Sequence, residues 1–308
     1  MEKAGDFEAE AADEIAQRVS PTTVVRREES LARHTTLRIG GPAGVYVEPA
    51  SEDDLAAVLV CCRDHGWRSL VVGRGSNLLV KDGGFRGVVV CLANLHFSRI
   101  EVTGECLGCG AGASLKAVAN VARRNGLTGL EFMEGIPGTV GGALRMNAGA
   151  MGGTIFEVVE RVRLMGSDGV VQERTVGELA IGYRSCETLT KYVALSAVLR
   201  GRLGSREAID QRMNEYSQKR WRSQPAAPSA GCIFKNPASV PAGKLIEELG
   251  LKGTRVGGAV VSVEHGNFIV NHGAATARDV LELIELIRQR AQAERGINLE
   301  TEVQIVGE

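Results

Sequence analysis

The densest glycine segment of the chain, GIPGTVGGALRMNAGA at residues 135–150, carries five glycines in sixteen residues. Glycine loses the most conformational entropy when it is ordered, so such a segment folds only if something packs against its open backbone. A flat ligand or a diphosphate would supply that contact. A bulged corner of a β-barrel would also explain the glycines. The segment alone leaves both interpretations open.

A second glycine loop lies in VVGRGSNLLV at residues 71–80. Gly73 and Gly75 let backbone N–H groups converge on an anion, and Ser76 and Asn77 add side-chain donors. The loop is not the dinucleotide fingerprint G-x-G-x-x-G, because Leu78 stands at the third glycine and a strand follows. Taken alone, this loop is better explained as a tight β-turn.

The charge balance excludes some partners. Lys and Arg total 36 and Asp and Glu total 37, so no net field attracts nucleic acid or an anionic membrane. Aromatic residues make up 4%, which leaves few platforms for stacking bases. The acidic N-terminus lacks an apolar run, and no stretch is long enough to span a membrane. We therefore expect a cytoplasmic protein with no nucleic-acid or membrane partner. We also expect a monomer, although neither charge nor hydropathy determines the oligomeric state.

The cysteines predict free thiols in a reducing compartment, because seven are present at irregular spacing. The pair in CLGC, Cys106 and Cys109, has no second pair and no nearby histidine. Tetrahedral zinc needs four ligands, so we expect no metal site.

Helical and strand-like segments alternate irregularly, which predicts an α+β fold. We expect a surface helix over residues 6–19, a helix capped by Ser51 and ended by Gly66, and a helix capped by Ser114. A polar helix follows from 205 to about 222, an amphipathic helix covers 276–296, and INLETEVQIVG forms a last strand. The composition changes near RSQPAAPSAG, where two prolines mark a boundary or an entry loop.

Six motifs in order make the chain resemble the UDP-N-acetylenolpyruvoylglucosamine reductase family. They are HTTLRIGGPA, GRGSNLLV, GLEFMEGIPGTVGGALRMNAGA, GYRS, AGCIFKNP and LETEVQIVG, and they span roughly residues 22–307. The short link between GYRS and AGCIFKNP is similar to the family's shorter form, which lacks an inserted substrate-capping segment.

The resemblance implies a two-lobed FAD-binding domain of the vanillyl-alcohol-oxidase type over residues 22–204, with lobes of about 22–90 and 91–204. It implies a smaller α+β substrate domain over 205–308, and leaves 1–21 as a helical extension. FAD would be bound without a covalent link, and NADPH would be the co-substrate. The cofactor-binding residues that the resemblance implies are Gly73, Arg74, Gly75, Ser76, Asn77, Leu78, Ile136, Pro137, Gly138, Thr139 and Gly142.

The implied chemistry adds hydride to an enolpyruvyl ether and a proton to its α-carbon. Arg184 could hold the substrate carboxylate with two parallel hydrogen bonds, although a Tyr-Arg pair alone is more often a surface pair. Cys232 matches the family's proton donor, and a thiol is far more acidic than a serine hydroxyl. Without the resemblance, Cys232 would be interpreted as a small core residue.

Glu302 matches the family's catalytic glutamate, whereas spacing alone does not separate it from Glu300, which falls on the same face of a strand. The resemblance also implies substrate contacts from Tyr183, Lys235 and Asn236.

Two other functions stay open at this stage. One is a different flavoenzyme with another substrate domain, and the other is a nucleotide-binding protein without catalytic activity. The positions of AGCIFKNP and LETEV argue against the first. The joint presence of Arg184, Cys232 and Glu302 argues against the second.

Overall fold

A computed structural model describes residues 4–308 as two compact units interleaved along the chain. The first unit comprises residues up to Glu28, Gly44–Arg74 and Gly87–Gln218, and the second comprises Glu29–Ala43, Gly75–Arg86 and Lys219–Glu308. The predicted domain boundaries, at 21/22 and 204/205, stay a prediction. No helix among residues 4–308 combines the length and the apolar character needed to cross a bilayer.

The secondary structure is mixed, as the α+β prediction requires. The helices are α1 Ala4–Arg18, α2 Glu52–Asp64, α3 Leu115–Arg124, α4 Val140–Arg145, α5 Arg206–Ser223, α6 Ala242–Glu248 and α7 Ala277–Arg295. The strands are β1 Val24–Ser30, β2 Pro42–Glu48, β3 Ser69–Val72, β4 Leu78–Val80, β5 Phe85–Cys91, β6 Ile100–Thr103, β7 Cys106–Gly110, β8 Leu127–Thr128, β9 Gly149–Ala150, β10 Gly153–Thr154, β11 Val159–Met165, β12 Val171–Thr175, β13 Ile181–Gly182, β14 Ser185–Cys186, β15 Val193–Arg200, β16 Arg202–Leu203, β17 Ser229–Cys232, β18 Arg255–Val256, β19 Ala259–Val261, β20 Phe268–Asn271 and β21 Gln304–Val306.

Local sequence signals determine where the helices begin and end. Ser51 caps α2 by accepting a hydrogen bond from the Asp54 backbone N–H, and Gly66 follows the helix with φ +68°. Thr276 and Asp279 form a capping box at the start of α7, which ends at Gly296 in the left-handed conformation. Short polar side chains satisfy the N–H groups that a helix start leaves unpaired, so these boundaries follow from the sequence.

The first unit contains a five-stranded sheet in the order β12-β11-β15-β7-β6, in which neighbouring strands are antiparallel. A four-stranded sheet in the order β1-β2-β5-β3 lies mainly in the same unit, and its β3 pairs in parallel with β5. The predicted N-terminal helix forms α1, and its Ala11 and Ile15 are fully buried in the core of this unit. The first unit therefore has one continuous apolar core, to which α1 contributes.

The second unit contains an antiparallel sheet in the order β17-β20-β19-β18, packed against α7. The buried face of α7 repeats at helical spacing: Val280, Leu283, Ile284, Ile287 and Ala291. β4 and β21 form a separate parallel pair.

The predicted last strand is shorter than expected. Only Gln304–Val306 forms β21, and Thr301 makes an isolated antiparallel bridge with Phe234. The Glu302 and Val303 N–H groups both donate to the carbonyl of Ile233, which breaks a regular ladder at this point. The alternation expected across Glu300 and Glu302 therefore does not continue into β21.

Candidate active site

The two glycine segments meet inside the first unit at Gly73 and Thr139. A Cβ on Gly73 would lie 2.4 Å from Thr139 Oγ1, closer than side chains approach in folded proteins. Thr139 is itself the N-cap of α4, where its Oγ1 accepts a hydrogen bond from the Gly142 N–H at 3.3 Å. Only glycine at position 73 allows the end of β3 to approach this cap.

A cavity of about 390 Å³ opens beside this contact, within the first unit. Its wall includes Gly73, Thr139, Gly141 and Gly142. A Cβ on Gly142 would contact only Thr139 Oγ1, at 3.5 Å, so it would project into open space. Bare backbone around a cavity of this size suits a phosphate-bearing cofactor, because N–H groups can reach the ligand directly. These residues fit part of an FAD molecule.

Ile136, Pro137 and Gly138 connect a buried turn at Glu131–Gly135 to the cap of α4. The Gly138 carbonyl accepts a hydrogen bond from the Leu115 N–H at 3.1 Å, which ties this segment to the start of α3. Pro137 is exposed and Gly138 is half-buried. Ile136 is also half-buried, so all three predicted residues are at least partly accessible.

The remainder of the GRGSN loop belongs to the second unit. Gly75 has φ +58°, and its Cβ would lie 2.2 Å from the carbonyl oxygen of His34, so glycine is required there. Asn77 donates from Nδ2 to the Glu302 carbonyl at 3.1 Å, and its own carbonyl accepts from the Gln304 N–H at 3.0 Å. Ser76 and Leu78 lie on either side of Asn77 in the chain. Leu78 begins β4, opposite Gln304 of β21.

Cys232 ends β17 directly after Gly231, which has φ +75°. It is half-buried and forms no disulfide. A Cβ on Gly231 would lie 3.6 Å from the Ser76 carbonyl oxygen, an ordinary contact distance, so the residue before the cysteine is a neighbour of the glycine loop. The stretch after Cys232 runs antiparallel to the chain around Thr301, since the Glu302 N–H donates to Ile233 at 2.8 Å. Cys232 and Glu302 therefore lie on neighbouring backbone segments of the second unit.

The two candidate glutamates, Glu300 and Glu302, differ in their surroundings. Glu300 exposes 76% of its side chain and forms an ion pair with Lys235 at 3.2 Å. Glu302 is half-buried, and its carbonyl holds the Asn77 side chain. The predicted substrate residue Asn236 uses its Oδ1 to accept the Ala242 N–H at 2.9 Å, at the start of α6.

Arg184 and Tyr183 occupy the tight turn between β13 and β14 in the first unit. Arg184 has φ +51°, and its guanidinium lies 5.2 Å from the centroid of the Tyr183 ring. Its Nη2 donates to the Gly149 carbonyl at 3.4 Å. Arg184 thus lies in the first unit, whereas Cys232 and Glu302 lie in the second, and their meeting over one ligand stays a prediction.

The predicted cofactor residue Arg74 is exposed, and it ends the segment Gly44–Arg74 of the first unit.

Sequence reasoning missed Asn147. Its Nδ2 donates to the Gly182 carbonyl at 3.0 Å, directly before Tyr183 and Arg184. The available signal was its position among glycines, since asparagine tolerates positive φ and Asn147 has φ +39°.

Comparison with known protein families gives two matches along the chain. Residues 43–174 match the model described as FAD binding domain. Residues 224–306 match the C-terminal domain of UDP-N-acetylenolpyruvoylglucosamine reductase. The order of the two matches is the order expected from the resemblance.

Curated relatives cover nearly the whole chain. The UDP-N-acetylenolpyruvoylglucosamine reductase of Heliobacterium modesticaldum is 44% identical over 285 residues, covering 92% of this chain and 90% of its own. The protein of that name from Bacillus licheniformis is 42% identical over 301 residues, covering 96% and 99%. The crystal structure of the Thermus caldophilus reductase matches with a TM-score of 0.80 and 38% identity, covering 92% and 99%.

The FAD-binding domain and the glycine-lined cavity define the class of protein: an FAD-dependent oxidoreductase. Within that class, the chain belongs to the UDP-N-acetylenolpyruvoylglucosamine reductase family. The predicted fold class and family are both confirmed.

Proposed function

We propose that this protein reduces UDP-N-acetylenolpyruvoylglucosamine to UDP-N-acetylmuramate, a step in peptidoglycan precursor synthesis, with electrons from NADPH and non-covalently bound FAD. The relatives that carry this enzyme name match more than nine-tenths of the chain, which supports the substrate. When bound, the flavin supplies the hydride that saturates the enolpyruvyl double bond. The residues proposed to hold it are the glycine loop from Gly73 to Leu78 together with Ile136, Pro137, Gly138, Thr139 and Gly142.

The geometric observation that carries the proposal is the antiparallel contact between the residues after Cys232 and those around Glu302. It brings a thiol-bearing and a carboxylate-bearing segment side by side, next to the Asn77 side chain. A general acid and a charged orienting group on adjacent segments suit proton delivery to a carbon atom. A core cysteine with only a packing role would need no such neighbours.

Arg184 is the proposed cation for the substrate carboxylate. Negative charge builds on that carboxylate and on the α-carbon when hydride adds to the neighbouring carbon. A guanidinium stays charged at all working pH values and can donate two parallel hydrogen bonds, so it stabilises this charge. Tyr183, 56% exposed beside Arg184, offers a flat surface to the same ligand.

Cys232 is the proposed proton donor. Its S–H bond breaks as a C–H bond forms at the α-carbon, and the sulfur keeps the electron pair as a thiolate. Glu302 acts with Arg184 in polarising the substrate. Lys235 and Asn236 contact the sugar-nucleotide portion, where Lys235 supplies positive charge for the diphosphate.

A stopped-flow experiment under anaerobic conditions tests the proposal in two stages. NADPH should bleach the flavin absorbance of the purified protein, and the enolpyruvyl sugar nucleotide should restore it. The product should be two hydrogen atoms heavier than the substrate. A protein that binds no flavin would support a non-catalytic nucleotide-binding role. A reduced flavin that the sugar nucleotide leaves bleached would support another flavoenzyme activity.

A further inference from the structure

Two short β-hairpins of the first unit hold each other through polar contacts. The first pairs β9 with β10 and follows Asn147 in the glycine-rich segment. The second pairs β13 with β14 and carries Tyr183 and Arg184 in its turn. The Asn147 Nδ2 donates to the Gly182 carbonyl at the base of that turn, at 3.0 Å. The Gly149 carbonyl accepts from Arg184 Nη2 at 3.4 Å.

The backbone around these contacts is unusual. Asn147 has φ +39° and Arg184 has φ +51°, in the left-handed region that non-glycine residues rarely occupy. A Cβ on Gly149 would lie 2.8 Å from the Gly153 carbonyl oxygen and 3.4 Å from Arg184 Nη1. Glycine at 149 is therefore required by the β9–β10 hairpin, and the position lies directly beside the guanidinium. Such strained conformations persist where the surrounding structure fixes them, and they concentrate at functional sites.

The carboxamide of Asn147 has a defined orientation. Only its nitrogen can donate to the Gly182 carbonyl, so its oxygen must face the other way. That Oδ1 is buried and has no hydrogen-bond partner within the described part of the chain. A buried acceptor without a partner lowers stability, so the side chain is not optimised for folding alone.

From these contacts we propose that Asn147 is a positioning residue for Arg184. Its hydrogen bond fixes the backbone before the turn, and this directs the guanidinium toward the carboxylate of the substrate. The inference rests on the proposed function of Arg184. Loss of the bond should leave the positive charge in place but misdirect it, and a displacement of about 1 Å can cost about 100-fold in rate.

Two variants of the holoenzyme distinguish the effect of the side-chain hydrogen bond from the effect of the strained backbone. Asn147→Gly removes the hydrogen bond and relieves the positive φ, whereas Asn147→Ala removes the bond and keeps the strain. Both should slow flavin reoxidation by the sugar nucleotide by about 10- to 100-fold. Flavin reduction by NADPH should stay within about twofold of the wild-type rate. Reoxidation at the wild-type rate in Asn147→Gly would overturn the proposal.

Asn125→Ala is the matched control. Asn125 also donates from Nδ2 to a backbone carbonyl, that of Val121 at 2.8 Å, but it lies at the end of α3. It should leave both half-reactions unchanged. A similar slowing in the control would show that general destabilisation explains the effect.

A double-mutant cycle with Arg184→Ala tests whether Asn147 acts through the arginine. In the Arg184→Ala protein, Asn147→Gly should change reoxidation by less than about twofold, because no guanidinium remains to be directed. The dissociation constant of the sugar nucleotide, from the flavin difference spectrum, should show the same non-additivity without turnover. Equal losses in both backgrounds would overturn the proposal. Failure of the wild type to be reoxidised would instead refute the proposed function.

Discussion

Cys232 shows how much one residue's surroundings determine its role. The buried thiols of Cys62 and Cys109 have pKa values raised to about 12 by desolvation, so they stay protonated and inert. Cys232 is half-buried and lies at the end of a strand, directly after a glycine that neighbours Ser76. Its accessibility and its neighbours distinguish it from the core cysteines, which pack as small apolar side chains.

Replacing Cys232 tests its role as proton donor. Cys232→Ala should slow flavin reoxidation by about 10²- to 10⁴-fold, the usual contribution of a general acid. Cys232→Ser should retain measurable activity, because a hydroxyl can still donate a proton. Reoxidation is followed by flavin absorbance in single-turnover mixing. Cys106→Ser, at the other half-buried cysteine, is the control. An alanine variant as fast as the wild type would exclude Cys232 as the acid.

The two glutamates near Thr301 give a paired test. Glu302→Gln should slow reoxidation by at least about 10-fold, because it removes a proposed catalytic charge. Glu300→Gln should leave the rate at saturating substrate within about twofold, since this side chain is largely exposed and paired with Lys235. The rates are compared at several substrate concentrations. A larger effect at Glu300 would reverse the assignment.

At the scale of elements, Thr139 at the start of α4 is in contact with Gly73 at the end of β3. Thr139 holds the Gly142 N–H and also fills the space that a side chain at position 73 would need. The backbone proposed to face the flavin is therefore fixed by contacts between residues distant in sequence. The same holds for the turn of Arg184, which is tied to Asn147.

Gly73→Ala tests this coupling. The new methyl group would lie 2.4 Å from Thr139 Oγ1, so Thr139 must move and its cap on α4 weakens. FAD affinity should fall by at least about 10-fold, and the protein should lose about 0.5–2 kcal/mol of stability, the usual value of a cap. Flavin fluorescence quenching and thermal unfolding measure the two effects. Gly177→Ala is the control, because a Cβ there meets nothing within 4 Å. Wild-type FAD affinity in Gly73→Ala would contradict the coupling.

At the scale of the whole molecule, local signals and long-range contacts differ in how far they could be predicted. Ser51, Gly66 and Thr276 mark helix ends through bonds within a few residues, so the sequence was sufficient there. The pairing of β4 with β21 joins segments separated by most of the chain, and no local pattern indicates it.

The candidate site shows the same division. The glycine loops could be found from composition, because glycine is required where backbones approach closely. The hydrogen bond from Asn147 to Gly182 could not be predicted, since no local pattern in either segment indicates that the two are in contact. The final strand was predicted too long because the sequence INLETEVQIVG has a strand-like pattern. The strand is interrupted by hydrogen bonds to Ile233, a residue outside the segment, which the pattern does not indicate.

Cofactor binding should stabilise the folded chain by mass action. At an FAD concentration of 100 times the dissociation constant, the free energy of unfolding should rise by about 2.7 kcal/mol. Denaturant unfolding of the FAD-free and FAD-saturated protein measures this difference. The Gly73→Ala variant should gain less at the same FAD concentration. An unchanged unfolding midpoint on adding FAD would mean that the folded state does not bind it.

The ion pair between Lys235 and Glu300 also bears on how tightly a sugar nucleotide can bind. At the proposed contact, an incoming diphosphate would meet an ammonium group that already has a carboxylate 3.2 Å away. The diphosphate would replace the Glu300 carboxylate beside Lys235, so this lysine adds little net electrostatic free energy to binding. High ionic strength weakens that contribution further. On the proposed contact, most of the affinity would then come from parts of the ligand other than the one that meets Lys235.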